Sequence, residues 1–95
     1  SNASYMAIEK ALGTVRETGD LAVPFAIRNA PTKLMKDLGY NKGYLYAHDF
    51  ENNFTPQEYL PENISGKTFY EPGKNQREEE LRRFLKERWK NKYGY

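Results

Sequence analysis

Ninety-five residues with a formal net charge of +2 and no cysteine make one small domain, near the size at which an apolar core can just hold a fold. The missing thiols exclude a disulfide framework and a thiolate zinc site, and fit a cytoplasmic protein. No apolar run approaches the roughly 20 residues that span a bilayer, and no signal-peptide pattern opens the chain.

Ser1, Asn2 and Ala3 match the remnant of a cleaved affinity tag and are set aside, which leaves residues 4–95 as a single helical domain. Entry into a helical pattern at Ser4 without a start methionine is read as a segment from inside a longer protein. Tyr5, Ile8, Leu12 and Val15 alternate at spacings of three and four, the apolar stripe of an amphipathic helix from Ser4 to Thr18. Gly19 is placed to close it in the left-handed conformation.

Two prolines then predict two short helices, each tolerating proline in its first turn. One runs from about Pro24 to Asn29, the other from about Pro31 to Leu38 with Gly39 ending it; Phe25, Ile27, Leu34, Met35 and Leu38 are their expected buried residues. From Tyr40 to Pro72, Gly43, Pro56, Pro61, Gly66 and Pro72 interrupt every candidate element, predicting turns and extended pieces instead of a sheet. Tyr44 and Tyr46 alternate around Leu45 as in a brief strand, which lacks a partner. Thr55-Pro56-Gln57-Glu58 reads as a capping box opening one helical turn that ends before Pro61.

Asn75 is the N-cap of a last helix, about Gln76 to Lys92, with Glu78, Glu79 and Glu80 at its positive end. Leu81, Phe84, Leu85 and Trp89 form its apolar face. Glu78 to Arg82 and Glu79 to Arg83 are i,i+4 pairs worth about 0.3 kcal/mol each. The predicted fold is thus mainly α, a small helical domain with a long irregular tyrosine-rich connector.

Chemistry-bearing motifs are few. Gly66-Lys67-Thr68 resembles the end of a P-loop, but the glycine required five residues earlier is Pro61, and Phe69-Tyr70-Glu71-Pro72 cannot begin the helix that must follow. His48, beside Asp49, is the single histidine. Without a cysteine or a serine in a nucleophile elbow it is read as a loop histidine bonded to backbone. The sequence therefore points to no catalytic, cofactor-binding or metal-ligating residue. Arg82, Arg83, Lys86, Arg88, Lys90 and Lys92 stand against one acid, Glu87, over their stretch; they are candidate contacts to a nucleic-acid backbone, with a solvated helix face as the plain alternative. Trp89 and Tyr93 could stack on bases, although helical spacing with Leu81 and Leu85 favours burial of Trp89.

The run Val23-Pro24-Phe25-Ala26-Ile27-Arg28-Asn29-Ala30-Pro31-Thr32-Lys33-Leu34-Met35-Lys36-Asp37-Leu38-Gly39-Tyr40 resembles the C-terminal domain of the replication-associated recombination protein A family, also called MgsA, whose eukaryotic relative is the Werner helicase-interacting protein. Tyr44, Tyr46-Ala47-His48-Asp49, Gln57-Glu58-Tyr59-Leu60-Pro61 and Phe69-Tyr70-Glu71-Pro72 follow the family order, so the resemblance runs from Ser4 to Trp89. It implies a parent with an N-terminal AAA+ ATPase core that binds ATP and Mg, and a C-terminal helical domain similar to the collar of clamp-loader subunits that forms homotetramers. It also implies action on DNA in replication, recombination and repair, with single-strand-binding protein as a further partner and a nucleoid-associated location. This segment carries none of the ATPase motifs, and because the family pattern has several helices before Tyr5, the resemblance implies that residues 4–95 are the later part of a larger C-terminal oligomerisation domain. Arg28, Asn29, Pro31, Thr32, Lys33, Tyr46, His48, Asp49, Tyr59, Pro61, Tyr70 and Pro72 are the family-motif residues, read as structural. Asn29 and Thr32 are expected to satisfy free backbone groups at helix ends.

Three amphipathic helices carry more apolar surface than so small a core can cover. The first expectation is therefore a non-catalytic oligomerisation module; the rival is a DNA-contacting module using the basic end of the last helix.

Overall fold

A computed structural model describes residues 1–95 as helical, with no strand, in two units: residues 1–20 with 66–95, and residues 21–65.

In the first unit, α1 spans Ala3–Thr18 and stops at Gly19, whose φ of 68° only glycine adopts without cost and whose N–H returns to the Val15 carbonyl at 2.8 Å. Its buried face consists of small side chains. Ala3 and Thr14 are buried, and Ala7, Ala11 and Gly13 are half-buried. Thr14 turns its hydroxyl back to the Lys10 carbonyl at 3.0 Å, so that face presents no unpaired polar group. The larger stripe points to solvent: Tyr5, Ile8, Leu12 and Val15 are 63%, 61%, 48% and 55% exposed.

The last helix, α3, spans Gln76–Trp89. Its backbone does not pack on that of α1. The extended stretch 66–74 lies beside α1 instead, with Lys10 Nζ at 3.9 Å from Glu71 Oε1. The expected extension of this helix to Lys92 does not occur, because Lys90 has a φ of 56°. Tail contacts account for that end: Thr68 donates to the Tyr93 carbonyl at 2.5 Å and the Tyr95 hydroxyl to the Tyr70 carbonyl at 2.8 Å. Residues 92–95 are thereby drawn back onto 66–70 instead of continuing along the helix axis.

In the second unit, α2 is the short helix Lys33–Asp37. Thr32 caps it, accepting from the Met35 N–H at 3.2 Å, so Pro31 lies ahead of the cap and not in the first turn. At its other end Tyr40 N–H donates to Met35 O and Gly39 N–H to Lys36 O, a Schellman closure around Gly39 with a φ of 92°. The expected helix at Pro24–Asn29 shrinks to a 3-10 turn, Phe25–Ile27, with extended Pro24 as its cap. Phe25, Leu34 and Leu38 are 50%, 67% and 54% exposed, where burial was expected; five residues of α-helix have too little length to cover both ends of an apolar face.

Further 3-10 turns occur at Ala47–Asp49, Glu51–Asn53 and Glu62–Ile64. Tyr44 and Tyr46 form no strand. The turn expected at Thr55 is also absent, because Glu58 reaches forward to the Leu60 N–H at 2.9 Å and the Ser65 hydroxyl at 2.5 Å. A capping box needs that carboxylate to reach back to the cap residue. Gln57 is buried, and its amide, oriented to satisfy both groups, pairs with the N–H and carbonyl of Leu45 at 3.1 and 3.2 Å.

Candidate functional site

The N-terminus of α3 organises the first unit. Asn75 Oδ1 accepts from the Glu78 N–H at 2.9 Å while Asn75 Nδ2 donates to Glu78 Oε2 at 2.6 Å. Glu78 is 7% exposed and also receives the Tyr70 hydroxyl at 3.3 Å. The Ser1 hydroxyl first, then the Gly73 backbone, Asn75 and Tyr70, hold its carboxyl below the usual glutamate range against the opposing effect of burial. Burial, and then Glu78, push the Tyr70 phenol up. Glu78 therefore turns toward its own cap and forms no i,i+4 pair with Arg82. Arg82 instead donates to the Pro72 carbonyl and lies 3.5 Å from Glu79, an i,i+3 partner that also replaces the expected pairing of Glu79 with Arg83.

These contacts divide the six basic candidates. Arg82 is committed to the fold. Arg88 lies over the Phe84 ring at 3.5 Å and Lys92 near the rings of Trp89 and Tyr93 at 5.4 and 5.5 Å. Arg83, Lys86 and Lys90 remain exposed, their side chains in neither ion pair nor hydrogen bond. Trp89 is half-buried and packs against Tyr93 with ring centroids 5.0 Å apart and planes at 79°.

The motif residues fall in both units. Arg28 lies 5.2 and 5.0 Å from the Phe25 and Tyr40 rings, donating from Nε to the Val23 carbonyl and from a terminal nitrogen to the Tyr40 hydroxyl, both at 2.8 Å. It ties the chain before the first turn to the residue after α2. Thr32 caps α2 as expected, whereas Asn29 makes no such bond. Pro31 and Lys33 are exposed; Pro61 precedes the turn at Glu62; Pro72 is buried. His48 and Asp49 are exposed in one turn, with the His48 ring edge-on to Tyr46 at 5.0 Å, and Tyr59 is 45% exposed.

No group of three or more His, Cys, Asp or Glu side chains is placed to hold a metal ion. Gly66-Lys67-Thr68 does not fit a nucleotide phosphate either, since Thr68 spends its hydroxyl on the Tyr93 carbonyl and Pro61 stands at the cradle's first glycine. No helix is long and apolar enough to cross a membrane. The side chains with defined partners are thus Arg28 at two rings and the caps Thr32 and Asn75, while the α1 stripe stays exposed.

The family model of the MgsA AAA+ ATPase C terminal matches residues 1–89. The chain belongs to that family. It is 49% identical over 73 residues to replication-associated recombination protein A of Coxiella burnetii, covering 76% of this chain and 17% of that protein. The Escherichia coli K12 protein of the same name is 48% identical over 73 residues, 76% of this chain and 16% of its own length. The ATPase WRNIP1 of Dictyostelium discoideum is 50% identical over 50 residues, 52% of this chain and 6% of that protein. The chain thus spans under a fifth of these relatives, and the AAA+ catalytic region lies outside it. The MgsA match agrees with the resemblance carried by the Val23–Tyr40 run.

The sequence reading missed the small-residue face of α1 and the buried Glu78. Ala3, Ala7, Ala11, Thr14 and Thr18 recur at helical spacing and were a readable signal for the first. Its place three residues after Asn75 marks Glu78 as the capping partner, but its burial is not legible there, because that depends on Tyr70 and Gly73, residues outside the helix.

Proposed function

We propose that this chain is a non-catalytic assembly module of a replication-associated AAA+ ATPase, forming a homo-oligomer, a tetramer in the parent protein. The observation that carries this reading is the imbalance of apolar surface. Ala3, at 9% exposure, and Pro72 are the only buried apolar residues, while fifteen large hydrophobic side chains are exposed. Monomeric proteins leave apolar atoms at the surface, but contiguous stripes such as Tyr5 to Val15 mark surfaces that meet another chain or domain. ATP and Mg would belong to the parent's catalytic region, which acts on DNA in the cytoplasm, in association with the nucleoid and with single-strand-binding protein as a further partner. Light scattering after size exclusion at low and high salt tests the reading. A dimer or tetramer at both salts is expected, because apolar association does not weaken with ionic strength; a monomer at every concentration overturns it.

Direct contact with DNA is the second reading, and the unpaired Arg83, Lys86 and Lys90 favour it. They predict affinity that falls steeply with salt. Neutralising all three as glutamine should remove binding of a labelled DNA duplex without changing the solution mass. Unchanged binding would refute this reading.

A further inference from the structure

We infer that α1 pairs antiparallel with α1 of a second copy, resting on the assembly reading above and assigning it a face and a direction. Tyr5, Ile8, Leu12 and Val15 follow the 3-4-3 spacing of a coiled-coil seam, and all four are about half exposed or more. Antiparallel packing sets Tyr5 opposite the second copy's Val15 and Ile8 opposite the second copy's Leu12, so the four positions form closed layers with none left over.

The charges beside the seam choose both the occupant and the direction. Glu9 and Arg16 lie seven residues apart on one flank of the stripe, exposed and without an ion-pair partner in the chain. The opposite flank holds Ser4, Ala11 and Thr18, all uncharged. In a parallel pair the charged flank of one helix would meet the uncharged flank of the other. In the antiparallel pair the charged flanks meet, and Glu9 lies about 7 Å along the axis from the second copy's Arg16 at 1.5 Å rise per residue. Helical side chains lean toward their own N-terminus, so these two reach toward each other while the two Glu9 side chains lean apart. A surface with opposite charges at its two ends is complementary to itself across a two-fold axis. Eight half-exposed side chains amount to less than the roughly 1,200 Å² of a standard interface, so this contact is concentration-dependent on its own.

Two measurements on the 95-residue chain test the inference. In sedimentation velocity across a concentration series, Leu12→Gln should raise the dissociation constant at least tenfold with helical circular dichroism unchanged. Glu9→Arg and Arg16→Glu should each raise it several-fold, and the double exchange should return it to within twofold of the parent. Because the chain has no cysteine, Tyr5→Cys and Val15→Cys chains can be mixed in a glutathione redox buffer and the disulfide-linked dimers weighed by intact mass. The mixed dimer, one chain of each variant, should predominate. Self-association with like-with-like disulfides, or indifference to Leu12 and to the charge exchange, overturns the pairing and leaves the assembly reading standing. A monomer throughout overturns both.

Discussion

Asn75 and Glu78 cap each other, the Glu78 N–H donating to Asn75 Oδ1 at 2.9 Å and Asn75 Nδ2 to Glu78 Oε2 at 2.6 Å. The usual box returns the glutamate to the cap's backbone N–H; here it bonds the cap's side chain. Asn75→Ala removes both bonds. A loss of about 1–2 kcal/mol in urea unfolding is expected, at the upper end for a single cap. A loss no larger than that of an exposed substitution such as Lys74→Ala would mean the cap is dispensable.

Acid sensitivity follows from the same carboxylate. Its folded pKa lies below the ordinary value of 4.5, so its stabilisation is complete above that value and is lost as pH falls through the lower folded one. Glu78→Gln should flatten the acid limb of a stability–pH curve and leave the slope near neutrality unchanged. An acid limb as steep as the parent's would assign the effect to other carboxylates.

Arg82 and Lys86 lie one helical turn apart and should separate in mutation. Arg82→Ala leaves the Pro72 carbonyl without its donor, with an expected cost of about 1–3 kcal/mol. Lys86→Ala, at an exposed and unpaired site, should stay within about 0.5 kcal/mol. Thermal unfolding of the two variants checks the order, and equal losses would contradict the contact.

Thr55 is 2% exposed and its hydroxyl has no hydrogen-bond partner. Thr55→Val keeps the shape and removes the desolvated oxygen, so stability should hold or rise by up to about 1 kcal/mol. A clear loss in chemical denaturation would show that the hydroxyl finds a donor or acceptor in solution.

Features legible in the sequence are those determined within a few residues. The stop at Gly19 and the caps at Thr32 and Asn75 required only their neighbours. Thr55 fails as a cap because Glu58 is claimed by Leu60 and Ser65, and α3 stops at Trp89 as the tail bonds Thr68 and Tyr70. Each of these depends on a bond between segments whose meeting no local pattern encodes. The basic cluster was legible as charge, but its division into committed and unpaired members was not, since that depends on Pro72 and on the Phe84 ring.

The two faces of α1 have separate consequences for change. Enlarging Ala3, Ala7 or Ala11 alters the inner fit of the unit to which the helix belongs, whereas exchanging Ile8 or Leu12 alters only what meets it from outside. One sixteen-residue helix thus separates the side chains that fit it into its unit from those that its surroundings meet, and if the proposed pairing holds, association can change along the outer stripe at little cost to folding.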